Sequence, residues 1–328
     1  EMTENREHAG LMASYKNISA KLKKRFMRKP NQGDAIDQYE SLSKWLESEG
    51  IHQYAAFCML AAARCDQAMG NPTGEADKFV KSGQLFSQAE IESKQLDFCG
   101  FEDNLVEAVE CYEVAIDVYC KINRTAFAAT LRNEMANSLV AFGKLGDACK
   151  NYRAAATLLD GSPLPRISAL SHAADCLIRE EDYAGALTVC VDIIGTVATN
   201  AKQLGGDERW DVQSPGDHFF HYGNLLRCSV YGDLVEKWEI IAVLLLLLLP
   251  IKSREKHIFS KTLPRYRNMV GECTAAYMRE DVFFILQSVV LSVESNDLVS
   301  LRQLQSELWH LINPLQNELL HKLLEFQN

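Results

Sequence analysis

The chain has 328 residues, 47% of them apolar and 24% charged, with 18 Gly, 8 Pro and a net charge of −10. This is the balance of an ordinary soluble globular protein large enough for one big or two modest domains. An acidic total argues against a general nucleic-acid binder, and the scarcity of Pro and Gly suits long helices.

Residues 1–13 show no apolar period and are expected to be a disordered leader. Helical patterning starts near Ser14 and runs to Pro30, because the residue before proline is pushed out of the helical region. Within it Lys16, Lys21, Lys23, Lys24, Arg25, Arg28 and Lys29 stand with no acid among residues 15–29, while Ile18, Leu22 and Phe26 share one face. Such a basic amphipathic helix can lie on an acidic partner or an anionic membrane, serve nuclear import, or simply cap an array as a solvated first helix.

Asp34 is the expected N-cap of a helix through Ile36, Tyr39, Leu42 and Leu46 that Gly50 closes. A nearly all-apolar helix through Ala55, Cys58, Leu60 and Ala62 ends at Gly70-Asn71-Pro72. Helices then follow over 75–92, 104–121, 125–142, 147–159, 165–179 and 182–199, with short Gly- and Pro-containing breaks that suit antiparallel neighbours. Residues 201–223 are polar and Gly-rich with no helical stripe, and read as a flexible loop between two halves.

Helices resume over 224–249, 262–278, 281–293 and 297–312, before a last amphipathic stretch with Leu319, Leu320, Leu323 and Leu324. Six consecutive leucines, Leu244–Leu249, stop at Pro250, too short a run to span a bilayer, so this helix is expected at the centre of a core. The organisation expected is a repeat array over 14–200 and a second helical array over 224–328 packed on it as one continuous solenoid. No segment alternates with period two, and the fold class is all-α.

A small residue followed at +4 and +7 by residues of the same helix face returns through the chain. Ala108, Tyr112 and Ala115 are one copy, Ala148, Tyr152 and Ala155 the next, and Ala186, Cys190 and Ile193 a third. A weaker copy, Ala76, Val80 and Gly83, precedes them. Recurrence every 32 to 40 residues marks a helical repeat array, an architecture that binds more often than it catalyses. Ala136 and Leu139 with Ala148, Tyr152 and Ala155 fill the tetratricopeptide pattern in order, and Ala174 and Leu177 with Ala186 begin it again. The spacing resembles the long-helix array of the soluble SNARE-attachment proteins. All of these are read as repeat-packing positions.

Ten cysteines include no CxxC pair, and eight of them, Cys120 among them, sit in apolar helical stretches where a reduced thiol packs as a small hydrophobe. With no signal peptide at the start, a reduced cytoplasmic protein is expected. No phosphate-binding, dinucleotide-binding or nucleophile-elbow motif is present, and the chain is read as a non-enzyme without cofactor. His218 and His221 make an HxxH spacing, but in a Gly-rich loop without the helix that aligns two imidazoles, so no metal is assigned. Trp210, Phe219 and Phe220 in the same loop either fold back on the core or anchor a partner. Trp309, on an amphipathic helix, reads as core.

Residues 21–31, KLKKRFMRKPN, resemble the N-terminal signature of the 40-kDa huntingtin-associated protein family. The leucine helix after a variable loop, the run Leu304–Trp309 and the run Gln316–His321 are similar to later landmarks of that family, in the same order. The resemblance implies a tetratricopeptide-like α-solenoid that binds huntingtin, a large HEAT-repeat protein, one-to-one and stabilises its closed form. It also implies a cytoplasmic protein tied to early endosomes through a Rab GTPase, with a nuclear pool, and neither nucleic acid nor a transmembrane segment. Lys21, Lys23, Lys24, Arg25, Arg28 and Lys29 with Trp210, Phe219 and Phe220 are the candidate partner contacts. The alternative is an adaptor of the SNARE-attachment type that takes SNARE bundles or short peptides in a groove.

Overall fold

The computed structural model describes residues 2–23, 31–97, 100–205, 230–267 and 278–327. Among them there is no strand, and fifteen α-helices and one 3-10 turn pack as consecutive neighbours, an all-α solenoid-type architecture. The chain divides into two compact units, residues 1–142 and 143–328.

The first unit holds α1 (Met2–Leu22), α2 (Gln32–Ser48), α3 (His52–Met69), α4 (Pro72–Gln95), α5 (Asp103–Lys121) and α6 (Thr125–Ala141). Helix α1 takes in the polar stretch that lacks an apolar stripe, where Glu, Arg, Ala, Leu and Met favour helix through propensity alone. The N-cap of α2 is Asn31 rather than Asp34: the Asn31 side chain accepts from the Asp34 amide at 3.3 Å, placing Asp34 in the first turn beside the positive end of the dipole. Asn71 caps α4 in the same way, with Pro72 at the first helical position. Gly70 ends α3 at φ 73°, a left-handed conformation that costs glycine least.

Small residues bring these helices together. Ala55, Ala56, Ala62 and Ala63 of α3 are fully buried, and the α2 hydroxyl of Ser43 donates to the Ala55 carbonyl at 2.9 Å. From the other side Ser82 of α4 donates to the Ala56 carbonyl, also at 2.9 Å. Each such bond contributes about 1 kcal/mol, and each requires that no larger side chain stand between the backbones. Where α4 meets α5, a Cβ on Gly83 would lie 3.2 Å from the Tyr112 ring and 3.3 Å from the Ala108 carbonyl. Ala108, Tyr112 and Ala115 are buried. The buried frame of α4 runs through Ala76, Phe79 and Gly83, with Val80 half-buried, so Phe79 takes the central place. Lys78 bridges three helices, 2.6 Å from Asp66 of α3 and 3.1 Å from Glu40 of α2. Burial opposes its charge, but hydrogen bonds to those two carboxylates hold the Lys78 pKa above its usual value.

The second unit holds α7 (Leu145–Leu158), α8 (Pro163–Arg179), α9 (Tyr183–Gly205), α10 (Val230–Leu248), α11 (Ile251–Lys256), a 3-10 turn (Ile258–Thr262), α12 (Leu263–Arg267), α13 (Glu280–Glu294), α14 (Leu298–Leu308) and α15 (Pro314–Gln327). Ala148, Tyr152 and Ala155 of α7, Ala174 of α8 and Ala186, Cys190 and Ile193 of α9 are buried, as are Ala136 and Leu139 of α6 in the first unit. From residue 238 onward α10 is apolar on every side except at Glu239, and residues 238–249 are all buried, because the helix packs against α9, α13 and α15. No helix among the described residues is long and apolar enough to cross a membrane.

Two polar devices fix α10. Beyond Pro250, Arg254 donates to the carbonyls of Leu247 at 2.6 Å and Leu249 at 3.2 Å, a cation on the negative end of the helix. Gln316 of α15 donates to the Lys237 carbonyl at 2.8 Å while exchanging bonds with Asn313 in a reciprocal cap, 2.9 Å from the Asn313 amide and 3.0 Å from its Oδ1. Within α10, Glu239 is fully buried and accepts from the Tyr266 hydroxyl at 2.7 Å and from Arg265 at 3.3 Å.

Two outcomes follow. Gly83→Ala trades tighter contact with Tyr112 against a helix-propensity gain of about 1 kcal/mol and stays near wild-type stability, whereas Gly83→Val overpacks and costs about 1–3 kcal/mol. Urea unfolding of both variants reads this difference. In the second unit, Glu239→Ala leaves Arg265 buried without its carboxylate and lowers stability by about 3–5 kcal/mol, while the paired replacement Glu239→Leu with Arg265→Met costs less. A paired variant as unstable as Glu239→Ala would show that the charge itself was not the cause.

Candidate interaction surfaces

The basic segment begins as an ordinary packed helix. Ile18 is buried, and Tyr15 sets its ring 5.4 Å from that of Tyr39. Burial, followed by the nearby Tyr15, pushes the Tyr39 hydroxyl up to about 12. Lys21 is exposed but donates to Gln38 of α2 at 2.7 Å, and Lys23 is exposed. Lys24, Arg25, Phe26, Arg28 and Lys29 lie outside the described residues, as do Trp210, His218, Phe219, Phe220 and His221. Among the described residues no group of three or more His, Cys, Asp or Glu could hold a metal.

Helices α1, α2 and α3 leave a mostly apolar groove of about 230 Å³ between Met12, Tyr15, Leu42, Leu46, Tyr54, Phe57 and Cys58. Met12 at 46% and Phe57 at 37% stay exposed along it, with Trp45 of α2 exposed at 47%. Around it the surface offers apolar contact and little chemistry. Burial pushes the Cys58 thiol up to about 12, and it does the same to Cys111 and Cys176, both to about 11. Those thiols are protonated packing groups rather than nucleophiles. Cys120 departs from the sequence expectation: it is exposed, because it falls on the outward side of α5 beside Asp117 and Lys121.

The repeat tyrosines are spent internally. The Tyr112 hydroxyl donates to Glu134 of α6 at 3.0 Å, and Tyr152 stacks on His172 with centroids 5.2 Å apart. Glu239, the most deeply buried carboxylate among the described residues, is enclosed by Tyr266 and Arg265 with no exposed surface through which a substrate could reach it.

Trp309 overturns the expectation of a core residue, being 58% exposed. The buried stripe of α14 runs from Leu301 to Leu308, and Trp309 is one residue, about 100° around the helix, off that stripe. The signal was present in the sequence: Asn313-Pro314 starts a new helix so soon that α14 must end at Leu308, leaving Trp309 on its rim. Trp309 lines a second groove of about 550 Å³ with Gln305, Ile312, Pro314, Asn317, Glu318 and His321.

These surfaces belong to a chain with known relatives. Residues 21–203 match the family described as soluble NSF attachment protein, SNAP. The 40-kDa huntingtin-associated protein of Mus musculus is 30% identical over 97% of this chain and 93% of its own length. That of Rattus norvegicus is likewise 30% identical over 97% and 93%. A solved circular tandem repeat protein with novel repeat topology and enhanced subunit contact surfaces aligns with 13% identity, 90% coverage of this chain and 76% of its own, at a TM-score of 0.27 that carries no argument. At 30% identity over nearly its whole length the chain belongs to the 40-kDa huntingtin-associated protein family, and over residues 21–203 it carries the SNAP family pattern.

Proposed function

We propose that this chain is a non-catalytic helical scaffold that binds huntingtin one-to-one and stabilises one arrangement of that large partner. The observation that carries the reading is 30% identity across 97% of the chain to proteins named for association with huntingtin. The chemistry agrees: the repeat tyrosines and most described thiols are consumed in packing, while Met12, Trp45 and Phe57 stay exposed at the edge of α1–α3 and Trp309 at the end of α14. A stacked-helix body can touch separated parts of a flexible partner, and the affinity difference between the partner's arrangements sets how far its population shifts. Contact over about 2,000 Å² or more would place the pair in the obligate class. On this reading the basic segment from Lys21 to Lys29 and the aromatic residues Trp210, Phe219 and Phe220 contribute to contact. A Rab GTPase would connect the complex to early endosomes from the cytoplasm.

The match of residues 21–203 to the soluble NSF attachment description favours a second reading, an adaptor that takes SNARE bundles or short peptides. Size-exclusion chromatography with light scattering separates the two. Expressed alone, an obligate partner of huntingtin aggregates, and co-expressed with huntingtin it elutes as a one-to-one complex that survives high salt. A clean monomer that ignores huntingtin would discard the first reading in favour of the adaptor.

A further inference from the structure

The groove beside Trp309 has features that ordinary apolar packing does not require. Its walls come from the end of α14, the turn after it and the first turns of α15, and they are mostly apolar. The exposed Trp309 ring supplies a flat π-face, the surface on which a planar cation stacks best. Asn317 lines the same groove and is only 8% exposed. Its Nδ2 donates to the Trp309 and Ile312 carbonyls, both at 3.3 Å, which fixes the amide and leaves Oδ1 a buried acceptor with no donor among the described residues. A buried acceptor left so is costly, and a donor that reached it would recover that cost.

Glu318 is the fixed charge among the lining residues, with His321 on the same wall turned to Glu325 at 3.5 Å. Glu318 is next in sequence to Asn317, and its only described ion pair is loose: Lys322 stands 3.9 Å away and is shared with Glu181 at 3.7 Å. The start of α15 does not invite an anion instead, since Pro314 has no N–H and the Gln316 amide is already given to Asn313. An aromatic face, a carboxylate held only by a loose and shared lysine, and a lone acceptor therefore line one groove.

The geometry points to an arginine-recognition site: the groove accepts an arginine side chain of a partner polypeptide, its guanidinium stacked on Trp309, paired with Glu318 and donating to Asn317 Oδ1. Arginine fits this set better than lysine, because it is planar, spreads five N–H donors in a fork and needs no acceptor. A volume of about 550 Å³ holds the side chain with its neighbouring backbone. Oδ1 has almost no accessible surface in the free protein, so the side chains over it must shift for the incoming N–H to reach it.

Tryptophan indole N–H signals of the full chain, isotope-labelled, test the assignment; there are four tryptophans, and Trp309→Phe identifies the relevant signal. The probes are the N-acetyl methylamides of arginine, lysine and leucine. The arginine probe is expected to shift the Trp309 signal saturably in the millimolar range, lysine several-fold more weakly, and leucine hardly at all. Glu318→Gln, a change at an exposed position, weakens the arginine response about fivefold. An unmoved Trp309 signal with arginine overturns the site. A leucine response equal to that of arginine makes the groove a plain apolar dock, and an equal lysine response makes it a charge site; either result overturns the assignment.

Discussion

The distance between helix axes is the quantity on which the first unit depends. Ser43 and Ser82 reach the carbonyls of Ala55 and Ala56 only because α3 presents alanine to both neighbours. Gly83 presents nothing at all to the Tyr112 ring. Ridges of small residues let backbones approach, and the approach in turn makes polar bonds between helices geometrically available. Large side chains such as Phe86, Tyr112 and Met135 fill the space that remains. The order of causes is therefore alanine first, aromatic second.

Charge inside the molecule acts differently in the two units. Lys78 gathers carboxylates from α2 and α3 at a partly solvated edge, where pairing outweighs burial. Glu239 instead lies within the buried, otherwise apolar part of α10 from residue 238 onward, and its bonds to Arg265 and Tyr266 tie α10 to the segment that follows the 3-10 turn. A featureless leucine cylinder can rotate or slide in its socket with little change in burial. One carboxylate with two fixed partners gives α10 a single rotation and height, and that specificity is its contribution more than stability.

The repeat frame was legible in the sequence because size and period coincide there: an alanine at each start and an apolar residue four places later, tyrosine in two of the copies, admit few placements other than a helix–helix seam. The leucine run was equally plain, since length alone separates a core helix from a spanning one. Finer points depended on competition between neighbours. Asn31 outcompetes Asp34 as a cap because its side chain reaches an amide three residues on, and Phe79 displaces Val80 because a 100° rotation decides which of two adjacent apolar residues faces α5. Trp309 follows the same rule, lying adjacent to a buried stripe rather than on it. The grooves were not legible at all, because each is made by residues whose juxtaposition depends on where two helices end.

The bond from Gln316 to the Lys237 carbonyl joins residues 79 apart, whereas in the first unit helices pack chiefly on their immediate successors in the chain. Loop closure of that length is entropically slow to reward, so contacts of the first unit can form while synthesis is still under way. The six leucines enjoy no such advantage: one side of their socket is α15, which is synthesised well after them. Until it docks, the nascent protein displays its greasiest segment to the cell. Loss of α15 alone would therefore leave a leucine helix without its socket, in a chain that chaperones and proteases treat as unfinished.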